Sequence, residues 1–474
     1  MDKSRFQSGW PAYVVPLVVF ILVSVLYFAP QYQGKAIPMN DQIQYQGAIA
    51  ENKQYRAETG EDPQWNSTVF GGMPSYLLDF EIPGRFVRWV SNIPANVMGN
   101  PAALIFTAML CFWLMLLLWG VNPWVGMVAA LAYGFSTYTI LLVGAGHISK
   151  IWAMAYAPLL VGAVAYSYRG GNIFFGGTVA ALGASLTIGA NHPQITYYFL
   201  LIIVALAINE LVKAIREKAI PRFAKVSAVM LLAAALALGS NIGNLYYTAH
   251  HSSETTRGGS ELAVEDATAQ KGLDLQYATD WSYGRTESLN MLIPNLYGGS
   301  SRDGFTVDGE LAQTLKQYGL RANAAESFPG YWGEQPFTEG PTYIGAIVIF
   351  LAVLGLFLLD GRKKWWILAI SIFALFLSWG RNMMWFTELM FKILPGYNKF
   401  RAVSTGLVIV QWAMPLIAAF ILAQMWRARL TRERIIYGIK WAAGITGGIA
   451  LVFALFGGSM FSFISSHDHY DMYQ

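Results

Sequence analysis

The chain of 474 residues is 55% hydrophobic and only 13% charged, with a mean hydropathy of +0.40. A soluble protein of this size would lack polar surface at that composition, so the chain is predicted to be an integral membrane protein. Its single cysteine, Cys111, lies in an apolar stretch, which excludes an intramolecular disulfide. The formal net charge of +4 is small, and its distribution along the chain is more informative than its sum.

Windows of about 19 residues predict about eleven membrane-spanning helices, each close to the roughly 20 residues that cross a bilayer core of about 30 Å. The predicted fold is therefore an all-α polytopic membrane protein with two long loops, at 31–100 and 242–340. These loops suggest a membrane core at 1–241, a second loop at 242–340 and C-terminal helices at 341–474. The predicted spans are 11–30, 101–119, 123–145, 151–168, 172–190, 194–212, 223–241, 341–359, 364–380, 402–425 and 436–460.

If these helices cross the membrane in alternating directions, the basic residues are concentrated in the segments on one side of it. With Lys3 and Arg5 on the cytoplasmic side, the short cytoplasmic segments hold sixteen of the 32 basic residues but only five of the 28 acids. This bias satisfies the positive-inside rule along the whole chain. It predicts a cytoplasmic N-terminus and places both long loops on the extracytoplasmic side.

A carboxylate, Asp41, follows the first span on the predicted extracytoplasmic side. The residues after it, 42–56, are weakly amphipathic and are predicted to form a helix at the membrane interface. One interpretation of Asp41 is a helix N-cap. The other is a functional carboxylate at the mouth of an active site, and the two roles do not exclude each other.

Two short extracytoplasmic turns, 144–150 and 189–194, carry His147 and His192, which are two of only six histidines. Lys150 begins a helix, where the helix dipole disfavours a cation, on the face where basic residues are otherwise sparse. A bound anion would explain both features, and the alternative is that Lys150 snorkels toward lipid head groups. For His192, which precedes a proline, a structural turn or cap is at least as good an interpretation as a ligand role.

The second long loop is acidic and rich in aromatic residues. Two of its segments, 281–285 and 331–336, mix flat rings with amide and carboxylate groups, and the latter contains Trp332 and Glu334. Such segments suit carbohydrate binding, and they also suit a loop packed on a membrane interface. The pair His250 and His251 has no cysteine or further histidine nearby, which argues against a metal site there.

Lys399 and Arg401 are cations at the predicted outer end of the tenth span. Exposed backbone N–H groups at the start of a helix favour an anion. An arginine can also engage a phosphate through two parallel hydrogen bonds. Together with Lys150, these cations predict a phosphate held at the membrane surface.

Several functional classes find no support in the sequence. It contains no phosphate-binding loop of the Walker type, no G-x-S-x-G elbow and no H-E-x-x-H metal motif. Nucleic-acid binding has no basic outer surface to use. The predicted spans also lack the carboxylates and lysines that line ion pathways, which argues against an ion-coupled transporter.

Short motifs occur in a fixed order along nearly the whole chain, beginning with the acid after the first span. They continue with Phe-Gly-Gly-Met-Pro at 70–74, Gly-His-Ile-Ser-Lys at 146–150, Asn-His-Pro-Gln at 191–194, Tyr-Trp-Gly-Glu-Gln-Pro at 331–336 and Lys-Phe-Arg at 399–401. In this order they resemble the YfhO-type bacterial membrane proteins, a family similar to the GT-C-fold glycosyltransferases. Those enzymes use polyprenyl-phosphate-linked sugars as donors and act outside the cytoplasmic membrane. Relatives are usually longer, with further helices and a soluble region.

The resemblance implies that Asp41 is the catalytic acid or base, and the metal ligand if a divalent ion such as Mg²⁺ or Mn²⁺ takes part. No cofactor is certain, because the superfamily has metal-dependent and metal-independent branches. The other implied residues are Lys150, Arg401, Lys399 and His147 on the lipid phosphate, and His192, Gln194, Tyr45, Trp332 and Glu334 on the sugar or acceptor.

The predicted function is transfer of a sugar from a polyprenyl-phosphate donor to an envelope glycan, lipid or protein, at the outer face of the bacterial inner membrane. Membrane lipids are expected partners and nucleic acids are not. Two alternatives stay open, namely a flippase or exporter of lipid-linked sugars and a non-enzymatic envelope assembly factor.

Overall fold

The structure is a computed structural model that describes residues 9–80, 87–255, 257, 272–302, 304–359, 361–461 and 463, without the side chains of residues 253, 362 and 363. These residues form helices and almost no sheet, which confirms the predicted all-α class. Lys3 and Arg5, with which the predicted orientation begins, lie outside the described residues.

The chain divides into two compact units. The first comprises Met1–Gly134 and Leu142–Leu273, and the second comprises Phe135–Leu141 and Asp274–Gln474. The three-part division predicted from the loops stays a prediction. The helices up to residue 251 are α1 (Pro11–Tyr27), α2 (Ala29–Tyr32), α3 (Asn40–Ala48), α4 (Ala50–Thr59), α5 (Arg88–Met98), α6 (Ala102–Leu118), α7 (Pro123–Gly134), α8 (Thr137–Ala145), α9 (Ile148–Tyr168), α10 (Ile173–Gly189), α11 (Pro193–Arg216), α12 (Ile220–Gly239) and α13 (Ile242–His251).

The core of the first unit is built around α9, which packs against both α6 and α10. Glycines permit these close approaches, since a Cβ at Gly162 would lie 2.8 Å from the Met115 Cα, and one at Gly183 would lie 2.9 Å from the Leu160 backbone nitrogen. Small residues at such positions let apolar helices pack backbone to backbone. The interior is therefore filled by closely spaced helices rather than by long side chains alone.

The first long loop has its own short elements. Strands β1 (Trp65–Asn66) and β2 (Met73–Pro74) pair antiparallel, and the predicted interfacial helix is divided into α3 and α4 at Ile49. The buried Asn66 amide donates hydrogen bonds to the Ala48 carbonyl and to the Asn52 side chain, both at 2.9 Å. This hydrogen bonding fastens the small sheet to α3 and α4.

The second unit contains the remaining helices, with α19 at its core. Helices α16 and α17 pack against α19, and the Gln411 amide of α19 donates a buried 2.8 Å hydrogen bond to the Thr139 hydroxyl. These helices are α14 (Leu275–Thr279), α15 (Glu310–Gln317), α16 (Ala346–Leu358), α17 (Arg362–Trp379), α18 (Met384–Ile393), α19 (Leu407–Trp426) and α20 (Arg432–Met460).

Six helical segments of the described chain are long and apolar enough to cross a membrane, or seven if the bent pair α7 and α8 forms one span. Four further apolar helices, α1, α6, α10 and α16, have only 10–17 residues. This composition is compatible with a multi-pass membrane protein. The predicted count of eleven spans is not confirmed, and the continuous span predicted at 123–145 is interrupted between α7 and α8.

Candidate functional site

The carboxylate of Asp41 contacts the imidazole of His147, with 2.9 Å between Oδ2 and Nε2. Asp41 is the second residue of α3, and Met39 holds the N-cap position, so the interpretation of Asp41 as the cap is wrong. His147 holds the N-cap position of α9. The two side chains are 52% and 44% exposed, so a substrate can reach both of them.

The backbone around Gly146 brings α3 against the turn between α8 and α9. Gly146 has a φ of +86°, a conformation that favours glycine, and its carbonyl accepts a 3.1 Å hydrogen bond from the Gln42 amide. A Cβ at this position would lie 3.1 Å from the Met39 Cβ and 3.3 Å from the Asp41 Cβ. The absent side chain is therefore what allows Asp41 to approach His147.

We expect Gly146→Ala to lower the free energy of unfolding by about 1–3 kcal/mol and to separate Asp41 from His147, because a Cβ adds backbone strain and crowds Asp41. Thermal unfolding in detergent measures the loss. The matched control is Gly144→Ala, since nothing lies within 4 Å of a Cβ there and alanine favours the helix α8. Equal melting temperatures of the two variants would contradict this account of Gly146.

His192 stands at the start of α11, near Lys150 and His147. Its Nδ1 accepts a 3.3 Å hydrogen bond from the Ile195 backbone N–H, so the predicted capping role is present. Burial, followed by the charge of Lys150 and the electrostatic influence of His147, lowers the pKa of His192 to about 3. The ring is therefore neutral at physiological pH and carries its proton on Nε2.

Lys150 and Arg257 complete the charges around this histidine. Lys150 is the third residue of α9 and is half-buried. Arg257, which the sequence analysis did not select, also lowers the pKa of His192 by its charge. The arrangement thus gathers positive charge next to a neutral imidazole, and such a place favours an anion.

Tyr45 and Gln194 lie in the same unit. Tyr45 follows Asp41 by one helical turn on α3, and its hydroxyl donates to the Leu78 carbonyl at 3.4 Å. Burial and then the charge of Asp79 raise the pKa of Tyr45. The Gln194 amide donates to the Tyr198 hydroxyl at 3.4 Å. Both side chains can present polar atoms to a ligand, and Tyr45 does so as a neutral phenol.

The other four predicted residues belong to the second unit. Arg401 donates a 2.6 Å hydrogen bond to the Tyr277 hydroxyl, and its guanidinium lies 5.7 Å and 5.8 Å from the ring centroids of Tyr277 and Trp281. Arg401 and Lys399 are exposed and precede a 3₁₀ turn, Val403–Gly406, so neither occupies the first turn of α19. Arg401 is thus an exposed cation held on an aromatic surface.

Trp332 and Glu334 each contact other residues of the second unit. The Trp332 ring stacks on Tyr297 at 4.2 Å with an interplanar angle of 26°, which commits one of its faces to the protein. The Glu334 carbonyl oxygen, rather than its carboxylate, accepts a hydrogen bond from Arg381. Beside them lies Glu287, a carboxylate that is only 1% exposed and that the sequence analysis did not select.

Glu287 is held by hydrogen bonds from the Gly284 N–H at 3.0 Å and the Tyr331 hydroxyl at 2.8 Å. Burial is the main cause that raises its pKa from 4.5 to about 7, and these hydrogen bonds oppose the rise. Glu287 lies in a short 3₁₀ helix, Thr286–Met291, within the predicted second loop, and a single turn of this kind shows no periodic pattern from which burial can be predicted. Glu287 lies in the second unit as a buried group that can hold a proton near neutral pH.

Stability should depend on pH through Glu287. Between about pH 4.5 and 7 the Glu287 carboxyl keeps its proton in the folded state, whereas it releases the proton in the unfolded state. The free energy of unfolding should therefore fall by about 3 kcal/mol between pH 4.5 and 8. Glu287→Gln should remove most of this slope, as measured by unfolding in detergent over that range. Glu310→Gln, which changes an exposed glutamate, should retain it. An unaltered slope in Glu287→Gln would rule out this source.

A divalent metal site would need more ligands than Asp41 and His147 supply. Mg²⁺ and Mn²⁺ prefer about six oxygen ligands, and the Asp41 carboxylate is already paired with an imidazole beside a lysine. No cluster of three or more His, Cys, Asp or Glu side chains suited to a metal occurs in the part of the chain that the structure describes. The residues around Asp41 therefore do not fit such an ion.

Comparisons of the chain with protein-family models, with curated proteins and with solved structures found no match.

Proposed function

We propose that this protein is an integral membrane glycosyltransferase that moves a sugar from a polyprenyl-phosphate donor to a hydroxyl acceptor. The observation that carries the proposal is the 2.9 Å contact between Asp41 and His147, next to Lys150 and the neutral His192. An accessible carboxylate that is oriented by an imidazole is suited to taking a proton from a hydroxyl. The nearby cation is suited to a phosphate.

In the proposed reaction, the acceptor oxygen attacks the anomeric carbon while the Asp41 carboxylate accepts the proton of that hydroxyl. The His147 Nε2–H donates to Asp41 Oδ2 and holds the other carboxylate oxygen toward the acceptor. One displacement by one base inverts the configuration at the anomeric carbon. The transferred sugar is therefore expected to have the opposite anomeric configuration in the product.

The bond between the anomeric carbon and the phosphate oxygen breaks as the new bond forms, and its electron pair stays on the lipid phosphate. Negative charge on that phosphate grows toward the transition state, so the positive charge of Lys150 stabilises the transition state more than the bound donor. His192 is neutral with its proton on Nε2, and it is suited to donating a hydrogen bond to a phosphate or sugar oxygen.

The residues of the second unit enter the proposal as binding groups. Arg401, held on the rings of Tyr277 and Trp281, offers a cation and flat aromatic surface for a phosphate or a sugar. Within the second unit, Lys399 is proposed as a phosphate ligand, and Trp332 and Glu334 as sugar or acceptor contacts. The GT-C architecture, the family resemblance and an extracytoplasmic site in the bacterial inner membrane belong to the same proposal.

A transfer assay tests the proposal directly. Purified protein is incubated in mixed micelles with a polyprenyl phosphate that carries a radiolabelled sugar, together with envelope glycan, lipid or protein acceptors. We expect labelled acceptor and released polyprenyl phosphate, and native mass spectrometry should find the isoprenoid phosphate on the protein. Translocation of the lipid-linked sugar without transfer would favour an exporter, and the absence of both activities would favour an assembly factor.

A further inference from the structure

A cavity of about 270 Å³ lies in the first unit between the C-terminal ends of α9 and α11 and the start of α12, apart from the Asp41–His147 contact. Its charged lining consists of three cations and two carboxylates. These are Arg169, Lys213, Arg222, Glu210 and Glu217. The volume is slightly below the range of roughly 300–1,000 Å³ of pockets for drug-sized ligands, so the cavity suits a small anionic group rather than a nucleotide.

The guanidinium of Arg169 is held in place but incompletely paired. Its Nε donates to the buried Glu210 carboxylate at 3.5 Å, and its Cζ lies over the Trp119 ring, 4.6 Å from the centroid. Its Nη2 is buried and has no hydrogen-bond partner among the described residues. A buried donor without an acceptor is costly, and arginine stays charged even when buried. An anion in the cavity would supply the missing acceptor.

The position of the cavity places it at the end of a membrane span. Helices α9, α11 and α12 are each long and apolar enough to cross a bilayer. His147 occupies the N-cap position of α9 and Arg169 follows its end, so about 30 Å of helix separates the cavity from the Asp41–His147 contact. Stacked Tyr168 and Phe223 rings, 5.1 Å apart, line the same end, as aromatic side chains do at membrane interfaces.

We propose that this cavity binds the phosphate of an anionic phospholipid at the membrane face opposite the Asp41 site. Arg169, Lys213 and Arg222 would contact the phosphate, and the acyl chains would lie along the apolar surface of α12, which is mostly exposed. Free inorganic phosphate could contact the same three cations, because it carries the same kind of charged oxygen atoms. The lipid is favoured because the cavity opens between ends of spanning helices.

The test measures binding by native mass spectrometry and thermal shift on delipidated protein in neutral detergent. The probes are phosphatidylglycerol, phosphatidylcholine and inorganic phosphate at equal concentrations. We expect phosphatidylglycerol alone to remain bound and to raise the melting temperature. The double variant Lys213→Gln with Arg222→Gln should weaken it about thirtyfold, because each cation near an anionic surface contributes on the order of fivefold.

Lys213 and Arg222 are chosen because they are solvent-exposed enough to change without loss of the fold, unlike Arg169. The control is Lys225→Gln, an exposed basic residue of α12 that does not line the cavity, and it should bind phosphatidylglycerol normally. Equal binding of phosphatidylcholine, equal binding of inorganic phosphate, or equal weakening in the Lys225 control would each overturn the proposal. Because the readout is binding, it is independent of the proposed transfer activity.

Discussion

Replacing Asp41 with asparagine is expected to lower the rate of sugar transfer by about 10²–10⁴-fold while leaving expression and the melting temperature close to those of the unaltered protein. An amide cannot accept the acceptor proton, and loss of a positioned general base typically has a cost of this size. The side chain is 52% exposed, so the change removes little packing. The measurement is the turnover of labelled polyprenyl-phosphate sugar at saturating acceptor.

The control for Asp41→Asn is Glu61→Gln, which removes a charge of the same sign from an exposed position on the same loop. It should transfer sugar at the unaltered rate. His147→Gln keeps a hydrogen-bond donor near Asp41 and should cause a smaller loss than Asp41→Asn, because the carboxylate remains but is less firmly oriented. Full activity in Asp41→Asn would remove this residue from the mechanism.

Replacing Lys150 with methionine should reduce turnover by about 10²–10³-fold, a size found when one group that stabilises transition-state charge is removed. Methionine retains much of the length and the apolar stem of lysine but lacks its charge. The reduction should appear mainly in kcat, since charge grows on the leaving phosphate during the reaction. Steady-state kinetics with varied donor concentration separate kcat from KM.

A second consequence distinguishes a chemical role of Lys150 from snorkelling. The charge of Lys150 contributes to the lowered pKa of His192, so Lys150→Met should raise that pKa, whereas Lys150→Arg should keep it low and restore part of the activity. Lys35→Met, at an exposed position of the first loop, is the matched control and should be fully active. A Lys150→Met variant with normal kcat would leave snorkelling as the better explanation.

The positions of the helices could be predicted largely from hydropathy, because most of them are continuous apolar stretches bounded by polar residues. The break at 135–136 within the predicted span 123–145 could not, since all of that stretch is apolar enough to pass a hydropathy window. The division of the helix predicted at 42–56 into α3 and α4 at Ile49 could not be predicted for a related reason. Amphipathicity over 42–56 is weak, and a break of one residue hardly alters it.

Composition and hydropathy determined the helical class of this protein and its apolar helices that are long enough to cross a membrane. The sequence also drew attention to His147, Lys150 and His192, because unusual polar residues at helix starts are visible in a linear pattern. Only the tertiary structure decided that Asp41 contacts His147 across more than a hundred residues of chain, that Glu287 is buried, and that Arg169 lines a cavity. Such contacts depend on how helices pack, and here on a glycine conformation at Gly146 that no local pattern reveals.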